Sequence, residues 1–156
     1  MDKNEPLYAI ELFKNLRAEQ IARIHDATNV VNYKPGDFVY EKGKKTFYLY
    51  VVLKGHVTLR MPLRANMSLV IDDCRQGTLF GVSIFYGMEK YTLNAQVMED
   101  SEILRIDYSV LQHMMDEDMI MGLAIHKEVG HIFYSRYINA MENLQAVLMN
   151  LDLERD

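Results

Sequence analysis

Tryptophan is absent, cysteine occurs once and proline three times in 156 residues, and Lys plus Arg (17) falls short of Asp plus Glu (22). The lone thiol, Cys74, cannot close an intramolecular disulfide and has no neighbouring Cys or closely spaced His to build a metal site, so it is read as a buried, unreactive thiol. A net charge of -5 lacks the broad positive field that holds phosphate backbones, and nucleic acid is not expected as a direct partner. The longest runs free of charge or strong polarity, Thr46 to Leu53 and Met119 to Ile125, are far shorter than the roughly 20 residues of a bilayer span. The start, Met1-Asp2-Lys3-Asn4-Glu5-Pro6, has neither the basic head nor the apolar stretch of a secretion signal, which points to a cytoplasmic protein. Signatures of catalysis are missing too: no nucleophile beside a paired base, no carboxylates at metal spacing, no phosphate loop. Asp72-Asp73 reads as an exposed strand end.

What is present is 18.2 kDa of chain, 49% hydrophobic and 25% charged, enough for one domain over residues 1–156. Its texture changes twice. Residues 1–29 carry Leu12, Leu16, Ile21 and Ile24 at helical spacing interrupted near Asn15-Leu16-Arg17, which predicts two short helices. Residues 30–107 are short Val, Tyr, Phe, Leu and Thr-rich runs between glycines, at the roughly 8–12-residue spacing of a sandwich or barrel. The strands expected are Val30 to Tyr33, Phe38 to Glu41, Phe47 to Leu53, His56 to Met61, Ser68 to Cys74, Asn94 to Met98 and Glu102 to Asp107. Between Gly81 and Gly87 a single helical turn fits better. Residues 108–156 contain no proline and predict one short helix, Tyr108 to Met115, leading into one long helix from Asp118 to about Leu151.

Within that long helix Tyr137, Met141, Leu144, Leu148 and Leu151 step by four, three, four and three, the seam of a coiled coil. Such a stripe could pack back on its own barrel, but a second copy of the chain is the favoured cover, giving a homodimer.

Leu12-Phe13-Lys14-Asn15-Leu16 with Glu19-Gln20-Ile21, then Gly36-Asp37-Phe38-Val39-Tyr40-Glu41-Lys42-Gly43, then Tyr50-Val51-Val52-Leu53-Lys54-Gly55-His56-Val57, and finally Gly77-Thr78-Leu79-Phe80-Gly81 occur in that order. Together they resemble the cyclic-nucleotide-binding domain family, whose opening helix, first hairpin, Tyr-x-Val-x-x-Gly-x-Val strand and phosphate-binding cassette run in this sequence. The interval from Gly43 to Gly55 needs no gap. The resemblance is closest to the sensory half of the catabolite-activator and FNR (CRP/FNR) class. It implies a mainly β fold with helices: a double-stranded β-helix, or jelly-roll, barrel flanked by N-terminal helices and a long C-terminal dimerisation helix. No helix-turn-helix follows before Asp156, so the chain is read as a stand-alone sensor or a truncation of a longer regulator.

The family's cassette runs Phe-Gly-Glu, a short helix, then Arg before a small residue and Ala; the Glu holds the ribose and the Arg the cyclic phosphate. Here the resemblance puts Val82 at the Glu position and, with one deletion, Leu93 at the Arg position. Cyclic AMP in the usual pose would then lose charge-assisted contacts of roughly 1.5–3 kcal/mol each. The candidate ligand residues are Phe80, Gly81, Val82, Ser83, Thr92, Leu93 and Asn94. Gly81 would let the backbone approach a ligand, the amides of Gly81, Val82 and Ser83 would favour an anion, and Ser83, Lys90, Thr92 and Asn94 are the polar substitutes near enough in sequence. Glu89 and Lys90 otherwise read as a solvated loop tip.

The expected function is a non-enzymatic sensory or regulatory module, dimeric and responsive to a small ligand other than cyclic AMP in the usual pose. Ligand arrival would shift the short helix after Gly81 and with it the long helix. Two alternatives stand beside it. One is a ligand-free interaction module whose old pocket is filled by Val82, Leu93 and their neighbours. The other is a sensor of haem or another apolar cofactor, in a pocket of Val82, Ile84, Phe85 and Leu93; relatives that sense gases use haem with His or Cys ligands. Among His25, His56, His113, His126 and His131, the last two sit five apart and point about 140° away from each other on a helix. No cofactor is assigned, and no metal is expected.

Overall fold

The run Tyr48-Leu49-Tyr50-Val51-Val52 is buried on both faces, and this sets the layering of the molecule. In the computed structural model, which describes residues 7, 10–64 and 66–150, this run is β3 (Tyr48–Lys54). Alternate side chains of a strand face opposite ways: Leu49 and Val51 join a core shared with the helices, while Tyr50 and Val52 join the core between two sheets.

β3 lies in an antiparallel sheet of order β1-β8-β3-β6, with β1 (Thr28–Tyr33), β6 (Leu79–Phe80) and β8 (Ser101–Asp107). The second sheet has order β2-β7-β4-β5, with β2 (Phe38–Tyr40), β4 (Val57–Arg64), β5 (Met67–Cys74) and β7 (Asn94–Val97). Helix α1 (Ala18–Asp26), α2 (Tyr108–Glu117) and the first turns of α3 (Met119–Asn150) cover the outer face of the first sheet. Leu104 and Ile106 of β8 face this helical layer, and Ile103 faces the barrel interior.

All seven expected strands are found, shifted by up to three residues at their ends. The barrel starts at Thr28 rather than Val30. An eighth strand, β6, lies inside the glycine-bounded stretch 77–81; at two residues it is too short to carry any periodicity. The single turn before Gly87 is a 3-10 helix, Val82–Tyr86. Of the two N-terminal helices, the second is α1, while the first is a 3-10 turn, Glu11–Phe13, among the described residues. Asp107 caps α2 by accepting hydrogen bonds from the Ser109 and Val110 amides at 2.9 and 3.4 Å, which is why the chain turns from strand to helix there.

The Asp72-Asp73 expectation is half wrong. Asp73 is exposed and pairs with His56, but the Asp72 carboxylate is 21% exposed and accepts from Arg136 Nε at 2.6 Å. Sequence could not show a partner 64 residues away on the long helix.

Candidate functional site: the end of the barrel at Gly81

Gly81 joins β6 to the 3-10 helix in the left-handed region, φ 76°, where glycine carries no steric penalty. A Cβ here would lie 2.9 Å from Cδ2 of Tyr50 and 3.3 Å from the Tyr48 carbonyl oxygen. The close approach expected at Gly81 is therefore made by a tyrosine of the chain itself.

That tyrosine belongs to an aromatic cluster filling this part of the interior. Tyr50 stacks on Phe80 at 5.3 Å between centroids, and Tyr40 stacks on Tyr91 at 3.8 Å. The Tyr91 hydroxyl donates to the Tyr48 carbonyl at 3.1 Å and reaches the Tyr50 hydroxyl at 3.3 Å. Burial pushes the Tyr40 and Tyr50 hydroxyls far above the ordinary phenol range, so both stay neutral. Cys74 lies in the same core, and burial pushes its thiol up to about 12, which makes it the inert thiol expected.

The candidate ligand residues do not converge. Phe80 is fully buried in the barrel core and Leu93 is half-buried against it. Val82, with Phe85 and half-buried Ile84, instead turns into the helical core with Ile125 and Val129. The left-handed step at Gly81 rotates the chain so that position 82 leaves the barrel. Val82, Ile84, Phe85 and Leu93 therefore do not line one apolar pocket, and Val82 does not fill the barrel interior. Ser83 is half-buried and Thr92 exposed. The Asn94 side-chain oxygen accepts from the Lys42 amide at 2.7 Å, so it braces the first hairpin. Glu89 and Lys90 are exposed, as a solvated tip requires.

The 3-10 helix bears directly on α3. Phe85 meets the His126 ring edge-on at 5.4 Å, and Tyr86 meets Phe133 at 4.9 Å and 90°. The His126 Nδ1 lies 2.9 Å from the Gly122 carbonyl oxygen. One turn further on, Arg136 donates from Nε to Asp72 and from Nη2 to the Leu79 carbonyl at 2.8 Å. These residues border a cavity of about 430 Å³ between α3 and the β5–β6 turn, lined among others by Thr78, His131, Ser135 and Asn139. Beyond that point the seam residues Tyr137, Met141, Leu144 and Leu148 are all exposed, so the stripe does not pack on its own barrel. Leu151 lies outside the described residues.

Sequence reasoning missed Tyr40, Tyr50, Tyr91, Arg105 and Arg136. Arg105 alone left a signal, as a charge inside the apolar run Ile103-Leu104-Arg105-Ile106.

Residues 30–118 match the family model of the cyclic nucleotide-binding domain. The chain belongs to that family. The cyclic nucleotide-binding fold extends beyond the matched segment. The sensor domain of the transcriptional regulator DNR from Pseudomonas aeruginosa superposes with a TM-score of 0.75 at 16% identity, over 86% of this chain and 90% of that one. The N-terminal domain of a transcriptional regulator from Streptomyces coelicolor gives 0.66 at 20% identity, over 80% and 89%. The regulatory domain of Toxoplasma gondii PKA, crystallised with cAMP, gives 0.69 at 13% identity, over 81% and 48%. Nothing matches among curated protein sequences. Among the described residues no helix is long and apolar enough to cross a membrane, and no group of three or more His, Cys, Asp or Glu could hold a metal ion.

Proposed function

We propose that this cyclic nucleotide-binding domain is a non-enzymatic sensory or regulatory module, working as a cytoplasmic homodimer joined along α3. The contact of Phe85 with His126 and of Tyr86 with Phe133 carries the reading. A ligand that displaces the turn after Gly81 must move side chains seated on the long helix. The helix then changes its angle to the barrel, and a dimer built on that helix transmits the change as a shift between two populated arrangements.

The ligand is a small molecule other than cyclic AMP in the usual pose. Position 93 is Leu, position 82 is buried among the helices, and the Tyr50 ring occupies the inner side of Gly81. A thermal-shift screen of the full chain against cyclic AMP, cyclic GMP, cyclic dinucleotides and 2-oxoglutarate tests this. At 100 times its dissociation constant a true ligand stabilises by roughly 2.7 kcal/mol. A shift with 2-oxoglutarate and none with cyclic AMP supports the reading; a strong shift with cyclic AMP sinks the claim that the usual pose is lost.

The tyrosine cluster favours a second reading, a ligand-free interaction module whose interior is permanently filled. It predicts that no small molecule shifts the melting temperature while the dimer persists.

A further inference from the structure

The register of the first sheet sets one row of side chains across four strands. Asn29 on β1 is opposite Arg105 on β8, Arg105 is opposite Tyr50 on β3, and Tyr50 is opposite Phe80 on β6. Directly opposed residues of antiparallel strands project to the same side, here the barrel interior, where Tyr50 and Phe80 lie. Along the row, exposure falls from open Asn29 through half-buried Arg105 to buried Tyr50 and Phe80. β1 is the edge of its sheet, so Arg105 stands where the interior meets water.

The guanidinium carbon of Arg105 sits over the Tyr48 ring, 4.3 Å from its centre. Its Nε is buried and has no hydrogen-bond partner, the one buried side-chain nitrogen or oxygen in that state among the described residues. No described carboxylate is within ion-pair distance of it either. A buried donor left unpaired is costly, and more so when charged. Stacking on an aromatic face leaves the in-plane N–H groups free, which is the geometry that grips a carboxylate or phosphate with two parallel bonds.

We propose that Arg105 is an anion anchor: a carboxylate or phosphate group of a small ligand enters at the β1 edge and pairs with its guanidinium. This deepens the sensory reading and rests on it, because it names the chemistry of the ligand. Two strand spacings of about 4.8 Å separate Arg105 from Phe80. Those two spacings lie between backbones, so a ligand held at the Arg105 guanidinium must reach along the tyrosines to touch Gly81.

The test is calorimetric titration of the full chain with inorganic phosphate, cyclic AMP and 2-oxoglutarate, on wild type, Arg105→Gln and the control Lys127→Gln. Binding of phosphate, or of cyclic AMP that is lost in R105Q and so is not in the usual pose, assigns a phosphate ligand, and binding of 2-oxoglutarate a carboxylate one. Either affinity should fall at least tenfold in R105Q and stay unchanged in K127Q. The ligand-free protein gives an independent readout: Arg105→Met removes the unpaired charge and should raise Tm by about 2–4 °C. A Tm unchanged or lowered in R105M overturns the anchor. Binding that survives R105Q also overturns it while leaving the sensory reading intact. If none of the three probes binds, the anchor falls, whereas a wild type that sediments as a monomer overturns the regulatory reading itself, since that reading requires the dimer.

Discussion

Each half of α3 carries an apolar stripe, and the two stripes have opposite surroundings. In the first half Met121, Ile125 and Val129 are buried against Phe13, Phe85 and Met115 of the helical core. In the second half Tyr137, Met141, Leu144 and Leu148 are 58, 45, 50 and 43% exposed. The spacing explains the difference. Steps of four drift by about 40° per step around a helix of 3.6 residues per turn, which suits a short contact curving over a barrel. Alternating steps of four and three average 3.5 and keep the stripe straight along a partner helix. A barrel covers the first kind of stripe, and another helix the second.

The sharpest way to break this contrast is to charge the second half. Leu144→Asp should weaken self-association at least a hundredfold, about 2.7 kcal/mol, read by sedimentation velocity across micromolar concentrations. The stability of the dissociated monomer should move by less than about 0.5 kcal/mol, since the site is exposed there. A wild-type chain that sediments as a monomer at every concentration would abolish the contrast. In the first half, Ile125→Ala should cost about 2–5 kcal/mol of folding stability by opening a cavity in a fully buried site. It should leave the association constant of the folded protein unchanged.

Arg136 lies at the boundary, half-buried, with one hand on Asp72 and the other on the Leu79 carbonyl. Arg136→Ala should cost about 1.5–3 kcal/mol, the range for hydrogen bonds to charged groups. Much of that is the penalty of leaving Asp72 without its cation. Asp72→Ala in the same chain should therefore cost less than the sum of the single changes, and urea denaturation of the four proteins measures the coupling.

Much of the barrel was legible because short runs rich in Val, Tyr and Leu are bounded by glycine turns, and the long helix because a proline-free stretch carries its own period. β6 was not legible, since two residues have no period. The family assignment was legible from motif order, but the site was not. The inner surface at Gly81 is built by Tyr40, Tyr50 and Tyr91 from three separate segments, and only tertiary pairing brings them together. Position 82 was assigned to the pocket by its place after Phe80-Gly81, whereas the left-handed Gly81 turns it into the helical layer. Arg105 was visible as a lone charge, but its direction depends on the register of β1, β8 and β3.

The smallest expected effect lies at the junction that anchors the buried half of α3. Asp118 Oδ1 accepts from the Met121 amide at 3.0 Å, and its Oδ2 from Gln20 at 2.7 Å and Arg17 at 3.4 Å. Chiefly the Met121 amide, with Gln20 and Arg17, holds this carboxyl below the ordinary aspartate range, and Arg23 does the same for Glu117. A carboxylate whose folded pKa is depressed stabilises the fold above its unfolded pKa and loses that contribution as pH falls through the folded value. The docking of α3 on α1 should therefore weaken below about pH 4. Asp118→Asn keeps one oxygen for the Met121 amide but turns an NH2 group toward the Gln20 amide and loses that bond, so it should lower stability slightly at neutral pH and make the acid limb shallower. Thermal melts from pH 7 to pH 3 measure both, and acid limbs of equal slope in the two proteins would show that the carboxylate's charge does not fasten the helix there.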